Sequence, residues 1–223
     1  AEIYTIVAMT NKNKGARGAT AYIVEKGDPG FSFGKKERKM GLNASSTREL
    51  ILNECRIPKN RILGRKGQGF IMAMRTLDIA RPGIGAIAVG LAQAALDEAV
   101  KYARQRIQFG QPIISFQALQ HMLADMATKI EASRALVYSV ARTIDEGTKD
   151  TAKISAMAKL FATDMAMQVT TDAVQILGGY GYMKSYPVEK MMRDAKILQI
   201  YEGTNQILRN VIGQALNKEY AKQ

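Results

Sequence analysis

Three short stretches carry residue types that helix or strand packing alone does not require. In Gln199-Ile-Tyr-Glu-Gly-Thr-Asn-Gln-Ile-Leu-Arg-Asn210 a lone carboxylate, Glu202, stands between a tyrosine and a glycine, just ahead of an apolar-periodic segment. A negative charge near a helix start is mildly favourable, which is one reading of it. The other is a positioned base. In Arg106-Ile-Gln-Phe-Gly110, followed by Pro112, Phe116 and Gln117, an arginine, an amide, an aromatic ring and a glycine share a corner between two helical segments. The fork of a guanidinium suits a pyrophosphate, and a glycine lets backbone come close to a ligand. In Gln175-Ile-Leu-Gly-Gly-Tyr-Gly-Tyr182 a glycine pair ends a helical pattern, as glycines often do. Its three glycines interleaved with two tyrosines also suit a backbone surface pressed against a flat polar ligand.

Other signatures fail. Gly83-Ile-Gly85-Ala-Ile-Ala88 matches a dinucleotide pattern on paper, but it falls inside a helical segment with no strand before it. His121 is the only histidine, so a histidine-based metal site or a Ser-His-Asp triad would have to be built around it; no metal site is expected. The single Cys55 rules out a disulfide within the chain and reads as a small, half-buried hydrophobe. A net charge of +12 suits anionic partners, yet the lysines and arginines are spread out, and the densest run, Gly34 to Met40, reads as a solvated turn. Nucleic acid is therefore not the expected partner. Neither is a membrane, since no uninterrupted apolar run reaches the roughly 18 residues needed to span one, and the first residues lack a signal-peptide layout.

The elements that must position these stretches divide the 223 residues in two. Up to about residue 62 the pattern is β: Ile3 to Met9, Ala19 to Val24, Phe31 to Phe33 and Glu49 to Leu52 read as strands, with a polar connection from Thr10 to Gly18. From about Gly67 the period becomes helical. Phe70 to Gln105 is one such segment, with a kink or break expected at Pro82, because proline inside a helix costs about 3 kcal/mol. Leu119, Leu123, Met126, Ile130, Val137 and Val140 mark a second apolar stripe. Ile154, Met157, Phe161, Met165, Val169, Ala173 and Ile176 mark a third, and Ile207, Leu208, Val211, Ile212 and Ala215 a shorter last one. The class expected is α+β: a partial antiparallel β domain followed by a C-terminal antiparallel four-helix bundle.

In order and spacing the chain resembles the C-terminal part of the acyl-CoA dehydrogenases, most of all the short-chain type. The matching residues are Lys39-Met-Gly41, Ser45-Ser-Thr47, Leu77-Asp78 with Arg81, Arg106-x-Gln-Phe-Gly110, Gln175-x-x-Gly-Gly179, Tyr186-Pro187 with Met192-Arg-Asp-Ala195, and Tyr201-Glu-Gly-Thr204. The resemblance implies that residues 1–64 are the later part of a middle β domain and residues 65–223 the bundle, with the chain part of a longer or split protein. It implies FAD as cofactor, held by Arg106, Gln117, Gln175, Ile176, Leu177, Gly178, Gly179, Thr204, Asn205 and Gln206. It assigns Asp78, Arg81 and Gly203 to the acyl-CoA substrate and makes Glu202 the catalytic base.

The activity so implied is α,β-dehydrogenation of a short-chain acyl-CoA to the trans-2-enoyl-CoA. The alternative is a helical-bundle assembly fragment without catalysis. A homotetramer, an electron-transferring flavoprotein as electron acceptor, and a bacterial cytoplasmic or mitochondrial matrix setting are implied with it. Relatives of the isovaleryl type carry the base directly before the arginine that matches Arg81; here that position is Ala80, which has no acid-base chemistry.

Overall fold

The computed structural model describes residues 1–148 and 151–221. Two compact units are present, one of residues Ala1–Lys39 and Asn43–Leu77, the other of Met40–Leu42 and Asp78–Gln223.

The first unit is built on strands rich in branched and aromatic residues, which suit a pleated, half-buried surface. They are β1 (Ile3–Met9), β2 (Ala19–Glu25), β3 (Phe31–Lys36), β4 (Arg48–Leu52) and β5 (Ile62–Leu63). β1 pairs antiparallel with β2 from Ile3 opposite Glu25 to Met9 opposite Ala19, and β5 adds to the other edge of β2. β3 and β4 form a separate antiparallel pair. Tyr4 of β1 packs edge-on against Phe31 of β3, with ring centroids 5.1 Å apart, and Phe33 closes the aromatic cluster. The turn between β2 and β3 depends on Gly30: its φ is +82°, and a Cβ there would fall 2.1 Å from the carbonyl oxygen of Asn53.

Two local expectations change in this unit. The connection after β1 is not a plain loop but a 3-10 turn over Lys12–Gly18. The N–H groups of Thr10 and Asn11 both donate to the Gly18 carbonyl, which closes it. The basic run after Phe33 is not a turn at its start, because Gly34 to Lys36 continue β3. Arg48 stands opposite Lys36 past an irregularity in the register, and its guanidinium donates to the Gly34 carbonyl at 3.0 Å.

Helices make up most of the second unit: α1 (Gly69–Gln105, from Asp78 onward), α2 (Gln117–Asp145), α3 (Ala152–Leu177), α4 (Val188–Leu198) and α5 (Asn205–Tyr220). A short hairpin of β6 (Ile107–Gln108) and β7 (Gln111–Pro112) links α1 to α2. The expected break at Pro82 does not occur, and α1 runs through it. The cost of proline is offset by the buried face that follows, Ile84, Ala88, Val89, Ala92, Ala95, Ala99 and Ala103. By length and composition α1 could cross a membrane (mean hydropathy 1.4 over its most apolar window), although Arg81 and the glycines interrupt any strict apolar run. Half of that window is buried in the fold, as in the core helix of a globular protein.

The core stripe of α2 follows its expected positions, with Ser133 buried in the gap between Ile130 and Val137. α3 does not. Met157 and Phe161 are 41% and 45% exposed, while Ala158, Lys159, Ala162 and Thr163 take the buried face. Small side chains on that face let helices approach closely: a Cβ on Gly85 of α1 would lie 2.8 Å from Val137 and 3.7 Å from Ala162.

α4 is an addition to the expected helices, and it accounts for two of the motifs. Buried Asp194 accepts from the Leu42 amide at 2.7 Å and from Lys190, while Arg193 grips Glu189 and donates to the Met40 carbonyl at 2.6 Å. A Cβ on Gly41 would sit 2.6 Å from the Arg193 carbonyl oxygen, so only glycine fits beneath the helix. Met40-Gly41 and the Met192-Arg-Asp-Ala195 motif are thus two sides of one structural clasp.

Candidate active site

Glu202 lies on the turn between α4 and α5. Its φ is +52°, and Gly203 follows at +98°, so two successive residues are left-handed. For a residue other than glycine, asparagine or aspartate that conformation is uncommon and costs of order 1 kcal/mol. Thr204 then caps α5, its hydroxyl accepting from the Ile207 amide at 3.2 Å. The side chain of Glu202 is half-buried, and its Oε2 is buried with no hydrogen-bond partner. A buried carboxylate oxygen without a donor is costly and rare in native proteins, and such groups concentrate at functional sites.

α1 supplies the other wall. Buried Arg81 pairs with Asp78 at 2.8 Å, one helical turn away, and its Nε donates to the Glu202 carbonyl at 3.3 Å. A side chain on Gly203 would meet Leu208 at 3.3 Å and the Arg81 guanidinium at 3.5 Å. Asp78, Arg81, Glu202 and Gly203 are therefore brought to one corner, with Ala80 half-buried on the same helix.

Beneath the turn lies a polar network within α3 and α5. Lys159 is fully buried and donates to the Gly203 carbonyl at 2.9 Å and to the Asn205 side-chain oxygen at 2.8 Å. The Asn205 amide nitrogen donates to Thr163 at 2.9 Å and to Asp164 at 2.7 Å. Asp164 also accepts from Gln199 and Arg209, each at 2.7 Å. Burial alone would raise the Asp164 carboxyl; the hydrogen bonds from Asn205, Gln199 and Arg209 outweigh it and hold the group below its usual range. Lys159 is driven from 10.5 down to about 8, chiefly by burial and then by the Arg81 charge, against the pull of Asp164 and Glu202. Burial, and then the charge of Glu202, raises the Tyr201 hydroxyl.

The direction for Lys159 fixes a pH dependence of stability. Between about 8 and 10.5 the unfolded chain holds a proton on this lysine that the folded chain has released, so folding gains from each rise in pH across that window. The full gain is roughly 3 kcal/mol at 1.4 kcal/mol per pKa unit. Urea unfolding at about pH 7 and about pH 10 should show Lys159→Met lacking that increment relative to the unaltered protein. Equal pH slopes in the two would contradict it.

The second and third stretches meet elsewhere in the same unit. Arg106 to Gly110 is not a simple corner between helices: it forms the tight β6–β7 hairpin, with Phe109 at φ +52° and Gly110 at +79° at its tip. Two residues with positive φ are what a two-residue hairpin turn demands. Phe109 is 91% exposed despite that strain. Arg106 and Ile176 to Gly179 line one cavity of about 480 Å³, together with Tyr102, Gln108 and Tyr180. The Arg106 guanidinium lies 5.8 Å from the centre of the Tyr180 ring. Gly178, at φ +59°, ends α3, and neither it nor Gly179 has an atom within 4 Å of where a Cβ would be, so this backbone faces open space. Ile176 and Leu177 are buried in the core, while Gln117 and Gln175 are exposed and outside that cavity's lining. Of Thr204, Asn205 and Gln206 only Gln206 is exposed; the Asn205 side chain is 2% exposed and bonded inward.

An apolar groove of about 410 Å³ between α1 and α2 is comparable in size, but its lining (Pro82, Gly83, Val137 and Tyr138 among others) includes neither Glu202 nor Arg106. His121 is exposed on α2. Lys159 and Asp164 were not anticipated from sequence. The only signal was a lysine between Ala158 and Leu160, which ordinarily marks a solvated face.

A strained turn presenting a half-buried carboxylate with one buried oxygen free of donors, and an arginine- and glycine-lined cavity on the same helical unit, are features that concentrate at functional sites. The chain belongs to the acyl-CoA dehydrogenase family: residues 67–217 match the model of the acyl-CoA dehydrogenase C-terminal domain. It is 56% identical over 213 residues to a probable acyl-CoA dehydrogenase of Mycobacterium leprae (strain TN), covering 96% of this chain and 55% of that protein. The solved butyryl-CoA dehydrogenase of Megasphaera elsdenii superposes with a TM-score of 0.94 at 53% identity, over 97% of this chain and 56% of the other. A structure described as the electron transferring flavoprotein of Acidaminococcus fermentans superposes with a TM-score of 0.95 at 56% identity, over 97% and 57%. The chain thus spans about half the length of the relatives it matches.

Proposed function

We propose that this protein catalyses FAD-dependent α,β-dehydrogenation of a short-chain acyl-CoA to the trans-2-enoyl-CoA, with Glu202 as the base that takes the α-proton. The observation that carries the reading is the Glu202 carboxylate, half-buried, with one oxygen lacking any donor, on a turn held from α1 by Arg81. An oxygen already bonded to donors would be a weaker base. The α-proton of a thioester is only weakly acidic, so the acceptor must be close and poorly hydrated. Gly203 beside it has a positive φ and stands where a side chain would press on Leu208 and Arg81, so the turn calls for glycine, and Asp78 and Arg81 supply the polar wall on the substrate side.

The arginine- and glycine-lined cavity fits part of a flavin dinucleotide: the Arg106 fork for the diphosphate, and the open backbone of Gly178 and Gly179 for close approach. Gln117, Gln175, Thr204 and Gln206 complete the expected set, whereas the side chain and N–H of Asn205 are turned to protein partners. Bound FAD supplies the acceptor for the β-hydride. In the same reading the protein is a homotetramer that passes electrons to an electron-transferring flavoprotein, in a bacterial cytoplasm or mitochondrial matrix.

FAD-loaded protein should be yellow and reduce a redox dye when butyryl-CoA is added; flavin retention without dye reduction would contradict the activity. Arg106→Ala removes a charge-assisted contact worth about 1.5–3 kcal/mol. FAD affinity should therefore fall by roughly 10- to 100-fold in equilibrium dialysis, with thermal stability of the apoprotein little changed. A colourless preparation that stays oligomeric by light scattering would favour a bundle assembly without catalysis.

A further inference from the structure

The fully buried ammonium of Lys159 lies beneath the Glu202 turn and has no part in the reading of Glu202 as the base. Burying a lysine is expensive, and one is rarely found unless its charge is answered. Here the answer is unusual. Its two hydrogen bonds go to a backbone carbonyl, Gly203, and to an amide oxygen, Asn205, and neither is a carboxylate. Both acceptors lie on the segment that begins with Glu202. Arg81 holds the preceding carbonyl, that of Glu202, from α1. The two successive carbonyls of the left-handed turn are therefore fixed by two cations from two different helices, α1 and α3.

We propose that Lys159 is the positioning residue of the Glu202 turn, tying Gly203 and Asn205 to α3 so that Oε2 of the half-buried Glu202 carboxylate stays buried and free of donors. The inference rests on the reading of Glu202 as the base. Lys159 reaches the reaction only through backbone, so it has no contact with substrate to lose. Without it, no hydrogen bond from α3 among the described residues holds the Gly203 carbonyl, and the uncommon φ of Glu202 can relax toward ordinary values. The charged groups facing the ammonium are Arg81 from α1, Asp164 from its own helix and Glu202 from the turn, with Arg209 of α5 behind Asp164. The nearest cation repels it, which is consistent with a site selected for geometry rather than for stability.

The test compares Lys159→Met with the unaltered protein, both FAD-loaded. Methionine keeps the length and deletes every donor. The kcat for butyryl-CoA should fall by about 30- to 100-fold, with KM and flavin content within about twofold, because a remote tie can be worth 2–3 kcal/mol of alignment. Hydrogen exchange of amides 202–208 should accelerate at least about tenfold while α2 stays protected, which general destabilisation would not do. Unchanged exchange in 202–208, or a kcat within threefold of the unaltered protein, overturns the proposal. If Lys159→Met does not fold, the unaltered protein still decides. After correction for intrinsic rates, protection of 202–208 should rise several-fold as pH goes from about 7 to about 9.5, because opening the turn that Lys159 ties returns the lysine to its ordinary proton affinity, and a constant value overturns it. Failure of the base reading is separate: full activity in Glu202→Gln would remove the base role of Glu202, whereas an inactive Glu202→Gln beside a fully active Lys159→Met removes only the role of Lys159.

Discussion

Glu202→Gln should lower turnover of butyryl-CoA by about 10²- to 10⁴-fold, the range contributed by a positioned general base. Glutamine has the same length and can occupy the same left-handed turn, so neither the Arg81 bond to the 202 carbonyl nor the Lys159 bond to the 203 carbonyl is disturbed. Flavin content should be unaltered, because Arg106, Gly178 and Gly179 line a different cavity. The loss therefore falls on kcat and on kcat/KM together, the signature of an interaction made in the transition state. Steady-state kinetics on FAD-loaded protein measure it. A turnover within tenfold of the unaltered protein would mean that the proton goes elsewhere.

The next largest effect is on stability. Asn205→Ala should destabilise the fold by about 3–5 kcal/mol, the cost of breaking a buried charged network from one side. The asparagine oxygen accepts from Lys159 while its nitrogen donates to Thr163 and Asp164. Alanine leaves the buried ammonium with the Gly203 carbonyl alone among these partners. For a chain of this size the melting temperature should drop by roughly 10 °C or more. The neighbouring Gln206→Ala should change stability by no more than about 0.5 kcal/mol, because that side chain is exposed. Thermal unfolding followed by circular dichroism separates the two, and equal melting temperatures would show that the network contributes nothing net.

The contrast between residues 205 and 206 shows where reading the chain by pattern succeeds and where it stops. Strand positions in the first unit followed from branched and aromatic residues, and the end of α3 from local chemistry, the glycine pair beginning at Gly178. The α2 stripe was legible because large apolar side chains fill it. On α3 the same rule picked the wrong face for one stretch. Large Met157 and Phe161 are exposed there, and small Ala158 and Ala162 with polar Lys159 and Thr163 are buried. Hydrophobicity ranks side chains by transfer from water and is blind both to helices that approach through alanine and to polar groups buried because partners exist across the fold.

α4 escaped for a related reason. It is eleven residues long with five charged side chains, and its buried Asp194 serves an amide 152 residues away. The site divides in the same way. The oddness of Glu202 between tyrosine and glycine was visible locally, as was the arginine-glycine stretch. That Arg81 belongs with Glu202, across 121 residues, came from family resemblance and from the folded geometry, not from spacing. Lys159 was legible neither locally nor by resemblance, and only the folded geometry places it under the turn.

The central claim, that Glu202 removes the α-proton, is tested most directly by isotope exchange. FAD-loaded protein is incubated in deuterium oxide with butyryl-CoA, and deuterium at the α-carbon of recovered thioester is read by mass spectrometry. The unaltered protein should incorporate deuterium, and Glu202→Gln should leave the α-carbon unlabelled over the same time. Undiminished labelling by Glu202→Gln would contradict the account.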